Sequence, residues 1–288
     1  RVLKRTVFEL FGVRLDGGST QVGAPLVVVE GVGTLILRNG ATLANNLNTS
    51  AVQAGGAISA AKDSKVLIES GAVITGNKHT YTYGTGGGVY SDGTVVMSGG
   101  SVGKNNARDG GGVYSTGSFT LSGGSVAGNT ADASGGGVYV KGTGSISGGL
   151  IEKNTAAGNI GGGVCVAGTG SLILTGGQVK GNSAKTVGGS IASEADLFLQ
   201  GGSINGNKAA TGGGVGVQNG WYWALISTQQ EAVERIGVLG SVKSYQQDFI
   251  GIPSPTEDVV YDFYDGERDF WRFGGALGLM VEGEVYLH

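Results

Sequence analysis

At 288 residues the chain is long enough for one large domain or two ordinary ones, but 60 of those residues are glycine, about three times the usual share of roughly 7%. With 3 prolines and no Gly-X-Y period it is not collagen, and with 40% apolar residues recurring at fixed places among the glycines it is not a flexible linker. A formal net charge of −3 with 14% charged residues is unsuited to neutralising nucleic-acid phosphates, and no apolar run reaches the roughly 18 residues of a membrane span.

The N-terminal stretch, residues 1–26, is the natural candidate for a cap. It opens with the cationic RVLKR and carries apolar residues at Val7, Phe8, Leu10, Phe11, Val13 and Leu15, which mix helix and strand periods and leave its type open. No secretory signal is visible, and a start at Arg1 rather than Met fits a processed or excerpted form.

Residues 27–220 repeat. The motif GG-[GS]-[VI] opens at Gly86, Gly110, Gly135, Gly161, Gly188 and Gly212, at spacings of 24, 25, 26, 27 and 24 residues, and a divergent GGAIS opens at Gly55. Each full copy then has a short apolar run before a Gly-Gly pair, such as FTLSGG or LILTGG, and closes on an asparagine: Asn77, Asn105, Asn129, Asn154, Asn182 and Asn207, with Asn46 extending the series. Apolar residues alternate with a period of two, as in Val138 and Val140 or Phe119 and Leu121, which is strand spacing in runs too short to form a sheet alone. Stacking such units buries a continuous core. The pattern predicts an all-β fold, a right-handed parallel β-helix of about eight coils with three short strands per coil.

The glycine pairs then serve corners that need φ > 0 and places where adjacent coils approach closely. Asparagine suits one corner because its amide can bond the amide of the next coil, and because it tolerates the left-handed conformation. Loss of one such amide, as in Asn129→Ala, is expected to cost about 1–3 kcal/mol if the corner is buried. If Val89, Val113, Val138, Val164, Ile191 and Val215 point inward, then Tyr90, Tyr114 and Tyr139 follow them outward as an exposed aromatic column. It would serve either as cross-coil stacking or as a strip for sugar rings or a partner surface.

GGGVYSTGSFTLSGGSVAGNTA resembles the repeats of bacterial surface proteins of the pectate-lyase-like β-helix superfamily, and GGAI at Gly55 to Ile58 is similar to one hallmark of chlamydial polymorphic outer-membrane proteins. The second hallmark, Phe-x-x-Asn, is altered: the position three before each Asn holds Ile74, Val102, Val126, Ile151, Val179 or Ile204. The resemblance covers roughly residues 27–218 and implies a β-helix placed at the cell surface or outside the cell. Proteins of this kind include adhesins, appendage subunits and polysaccharide-cleaving enzymes.

Composition changes abruptly after Gly220. Residues 221–288 hold all three tryptophans and 4 Lys/Arg against 11 Asp/Glu, while residues 1–220 hold 15 against 11. This is a small acidic, aromatic-rich module or cap of mixed, mainly β character, with a capping box at Ser227 or Thr228 before a short helix and strands in VVYDFYD, DFWRFG and ALGLMVEGEVYLH. A cationic body with an acidic end suits a head-to-tail contact.

Catalytic constellations do not emerge. Asp92, Asp109, Asp132, Glu152, Glu194 and Asp196 fall at different places in their coils, His79 stands alone in the loop KHTYTYGT, where a solvated role is expected, and Cys165 takes a place in the tyrosine column as an apolar filler. No catalytic residue, metal or cofactor is expected. The reading is a non-catalytic structural or adhesive surface protein that associates end to end with itself or with other surface proteins. The alternatives are a glycan-binding module using the tyrosine column, or a polysaccharide lyase or hydrolase whose site is hidden.

Overall fold

The computed structural model describes residues 1–217, and beyond them the backbone of four strands, Trp221–Leu225, Tyr261–Tyr264, Asp269–Gly274 and Val285–Leu287. One coil explains the rest. Val113–Ser115 forms a short strand, Ser118–Ala127 a ten-residue strand and Thr130–Ala131 a two-residue strand. Each lies parallel to its counterpart in the next coil, pairing Val113 with Val138, Phe119 with Gly144 and Thr130 with Thr155. Repeated along the chain, these strands build sheets of eight, fifteen and seven strands, a parallel β-solenoid of about eight turns with no helix among the described residues.

The alternation works as the sequence demands. Phe119 and Leu121 point inward and are fully buried, while Ser118 and Thr120, which precede them in turn, face outward. Val89, Val113, Val138, Val164 and Ile191 form one inward column at 0% exposure. The ten-residue strands are bent rather than straight. In Ser118–Ala127 the bend falls at the Gly123-Gly124 pair, where Gly124 has φ +82°, so the residues before and after it lie on different sides of the coil.

At the asparagine corner the left-handed residue is the one before the asparagine, which revises the reason given for asparagine there. Gly128 has φ +65°, and in other coils Lys104 and Lys153 hold φ +57° and +53°. The asparagine itself is selected for its amide alone. The third corner needs a glycine for a different reason: a Cβ on Gly111 would fall within contact of the backbone oxygens of Thr130 and Gly136 in the next coil.

Residues 1–22 add a further rung. Val7–Leu10, Arg14–Asp16 and Gln21–Val22 lie parallel to Thr34–Leu37, Thr42–Ala44 and Leu47–Asn48, in the same register as the coils that follow. Arg38 ties this rung down by donating to Glu9 at 2.9 Å and to Glu69 at 3.0 Å, so one guanidinium bridges three coils. At the far end Trp221–Leu225 continues the sheet in parallel, Asp269–Gly274 pairs with it antiparallel, and Val285–Leu287 lies antiparallel to Asp196–Asn205. The helix expected after Ser227 lies outside the described residues.

Candidate functional site

The asparagine series forms a continuous ladder. In Asn105 both the backbone N–H and the side-chain Nδ2 donate to Oδ1 of Asn129, at 3.0 and 3.1 Å, and Nδ2 also donates to the carbonyl of Ile74 in the preceding coil at 3.0 Å. The same triplet recurs at Asn77, Asn129, Asn154 and Asn182, and Asn207 receives the last two donors. Asn46 opens the series differently: its N–H donates to Asn77, while its amide donates to the carbonyls of Ala24 and Gly56. Asn77, Asn129 and Asn154 are at 0% exposure, with every amide hydrogen bonded.

Tyr90, Tyr114 and Tyr139 do stand in register on adjacent coils and stack, with ring centroids 5.7 and 4.8 Å apart and interplanar angles of 13° and 11°. The column is not exposed, however. Tyr114 retains 8% of its surface, and Tyr90 and Tyr139 are half-buried. Over Tyr139 the cover comes from the residues just before two of the glycine triplets: Ile160 and Val187 pack with Tyr139, Cys165, Ala167 and Ala192 in a small second core outside the solenoid. Burial pushes the Cys165 thiol well above its ordinary value. Tyr90 donates to Asp92 at 2.6 Å, and Thr116 donates to the same oxygen.

Burial, with Asp109 and other nearby anionic groups adding to it, pushes the Tyr114 hydroxyl up to about 12, and Tyr90 and Tyr139 are raised as well. Below the unfolded phenol value of about 10 both states hold the same protons; above it the unfolded chain releases protons that the folded column keeps. Stability is therefore expected to be level up to about pH 10 and to fall from there toward about pH 12. Thermal melts between about pH 9 and about pH 11 check this, and a midpoint unchanged over that range would contradict the buried column.

His79 departs from its expected solvated role. It is 3% exposed; the Thr85 N–H donates to Nδ1 at 3.0 Å, and Nε2 faces the Ser50 carbonyl at 2.9 Å, so the ring acts as a strut between two loops. That loop instead exposes Tyr81 and Tyr83, an edge-to-face pair with centroids 6.0 Å apart, and the guanidinium of Arg108 lies 5.4 Å from the Tyr83 ring. Sequence reading passed over these two tyrosines because nothing in the repeat marks an insertion as aromatic.

On the outer face of the ten-residue strands lies a shallow groove of about 320 Å³, walled by Ser118, Thr120, Thr143 and Ser145 with Ile173 and Phe198 at one end. Its lining carries no charge. Among the described residues no three His, Cys, Asp or Glu side chains converge where they could hold a metal ion.

The chain matches no family model, no curated protein and no solved structure.

Proposed function

We propose that this chain is a non-catalytic structural and adhesive rod of a bacterial surface or extracellular assembly, which acts by stiffness and by what its ends hold. The observation that carries this reading is the unbroken amide ladder from Asn46 to Asn207, which links successive coils by hydrogen bonds along the axis. About eight rungs at about 4.8 Å give a stiff spacer of about 40 Å. The resemblance of the GGGVY, SGGS and GNTA segments to surface β-helices supports placement outside the cell. The ordered side chains of the repeat serve cohesion, and catalytic or cofactor roles are assigned to none of them.

Two experiments test the reading. Antibody against the chain is expected to label intact, unpermeabilised cells of the source organism, and labelling confined to permeabilised cells would overturn the surface placement. Incubation with polyuronides and neutral polysaccharides is expected to release neither reducing ends nor unsaturated products. Turnover would overturn the non-catalytic part.

A second reading is favoured by the uncharged groove. Hydroxyls beside an apolar platform at Ile173 and Phe198 suit a neutral sugar, in a volume within the range of small-ligand sites. Glycan binding thus moves from the covered tyrosine column to this face, and an array of neutral oligosaccharides probed with the native chain and with Phe198→Ala tests it. Equal signals from the two proteins would remove the groove from consideration.

A further inference from the structure

The inward-facing residues at the two ends of the solenoid are covered very differently. In the first rung Phe8 is 44% exposed and Val22 38%, yet their partners one coil on, Leu35 and Asn48, are at 0%. Val13, beside the pair of Arg14 with Thr42, is also 42% exposed. Around this open bore stand Leu3, Val7 and Phe11, each more than half exposed. At the other end Leu197, Leu199, Ile204, Val215 and Val217 are all at 3% or less. The first rung also leaves one edge of each of its strands, Val7–Leu10, Arg14–Asp16 and Gln21–Val22, without a partner strand among the described residues. Leu10 at 5% and the partly buried Leu15 close the middle of this rung, so the opening is the part lined by Phe8, Val13 and Val22, and unpaired backbone beside such an apolar opening is a template for association.

Charge selects the occupant. Arg1 pairs with Glu30, Arg14 with Asp16 and Glu9 with Arg38, which leaves Lys4 and Arg5 without ion pairs among the described residues, both exposed at this end. Residues 218–288 of the same chain carry 4 Lys/Arg against 11 Asp/Glu, a balance of −7, together with more than half of the aromatic residues. A cationic rim around an apolar opening is complementary to that composition. It is not complementary to itself, because two first rungs face to face would set Lys4 and Arg5 against their own copies.

We infer that the bare first rung is a docking surface for a second copy of this chain, taken head to tail through its acidic, aromatic-rich residues 218–288. The inference rests on the structural-rod reading and adds its partner. Because the two surfaces differ, the contact is heterologous and builds open-ended chains rather than closed pairs.

Sedimentation velocity of the full chain tests this. At low salt the sedimentation coefficient is expected to keep rising with concentration, and to fall back to that of one subunit near about 1 M salt, where the Debye length is only about 3 Å. Phe8→Asp is expected to stay monomeric alone but to shorten wild-type assemblies when added in small amounts, because its acidic end still adds while its first rung no longer accepts. A ceiling at the dimer, or wild-type assemblies indifferent to Phe8→Asp, would mean pairing of two first rungs and overturn the proposal. A monomer at every concentration would do the same. Circular dichroism and melting check that Phe8→Asp is folded. Should it not fold, the exposed pair Lys4→Glu and Arg5→Glu gives the same reading, with association expected at least about tenfold weaker and most of its salt dependence gone. Wild-type association would overturn the charge argument in that case. None of these outcomes bears on surface display or turnover, so failure here is separable from failure of the rod reading.

Discussion

Asn129→Ala is expected to lower the unfolding free energy by about 3–5 kcal/mol, more than its own side chain would suggest. The amide of Asn129 is at 0% exposure and makes four hydrogen bonds: its Oδ1 receives the N–H and the Nδ2 of Asn105, and its Nδ2 donates to the carbonyl of Val102 and to Oδ1 of Asn154. Truncation breaks all four and leaves the Asn105 N–H and the Val102 carbonyl without that partner, and a buried polar group left without a partner costs about 1–3 kcal/mol. The smaller figure expected from sequence counted the neighbouring amides but not the carbonyl of Val102. Asn129→Asp separates donor from acceptor. The carboxylate can still receive both groups of Asn105, but it cannot donate to Val102 or to Oδ1 of Asn154, and it places a charge in a site closed to water. Burial should raise its folded pKa above the unfolded value of about 3.9, so the stability lost at neutral pH should return as pH falls through the raised folded value and be fully recovered by about pH 3.9. Chemical denaturation of both variants at neutral and acidic pH is the measurement. An Asn129→Ala loss below about 1 kcal/mol would mean that the ladder is not what holds the coils together.

The sequence made the ladder legible because one amide geometry recurs once per coil, and no other residue type supplies a donor and an acceptor in that shape. Inward columns such as Val89 to Ile191 were legible for a similar reason: a period of two fixes which face each residue takes. What escaped depends on the path of irregular chain. How far Tyr139 is covered is decided by Ile160 and Val187, in loops of unequal length before glycine triplets, and no period describes them. The first rung escaped because it lacks the glycine triplet, although Phe8, Leu10 and Leu15 hold the inward positions of the coil below. A clue to the left-handed corner was present in the mixture of Gly128, Lys104 and Lys153 at one position, since glycine among unrelated residues marks a constraint on φ. Its meaning needed the backbone.

Phe119→Ala is expected to cost about 3–5 kcal/mol, with the damage spread over two coils. Phe119 is 1% exposed and is the largest of the fully buried side chains. It stands in the inward column between Val95 and Gly144, with Leu172 beyond the glycine. A rung without a side chain would leave a void, so its neighbours must fill that space. A Cβ at Gly144 would meet Leu172 Cδ1 at 2.7 Å and Val140 Cγ1 at 3.5 Å, which shows Leu172 leaning into it from the far side. Removing the phenyl ring therefore opens a cavity that spans both rungs. Gly144→Ala tests the pairing. In the native protein its methyl displaces Leu172, whereas in the Phe119→Ala background Leu172 can move into the vacated space, so the two changes together should cost about 1 kcal/mol less than their sum. Additivity within about 0.5 kcal/mol would refute the shared filling. Because a solenoid's stability is close to a sum over neighbouring coils, the loss should also appear locally. Amide exchange should accelerate in Ser118–Ala127 and Thr143–Glu152 before it does near the ends, turning a rod that frays from its termini into one that opens in the middle.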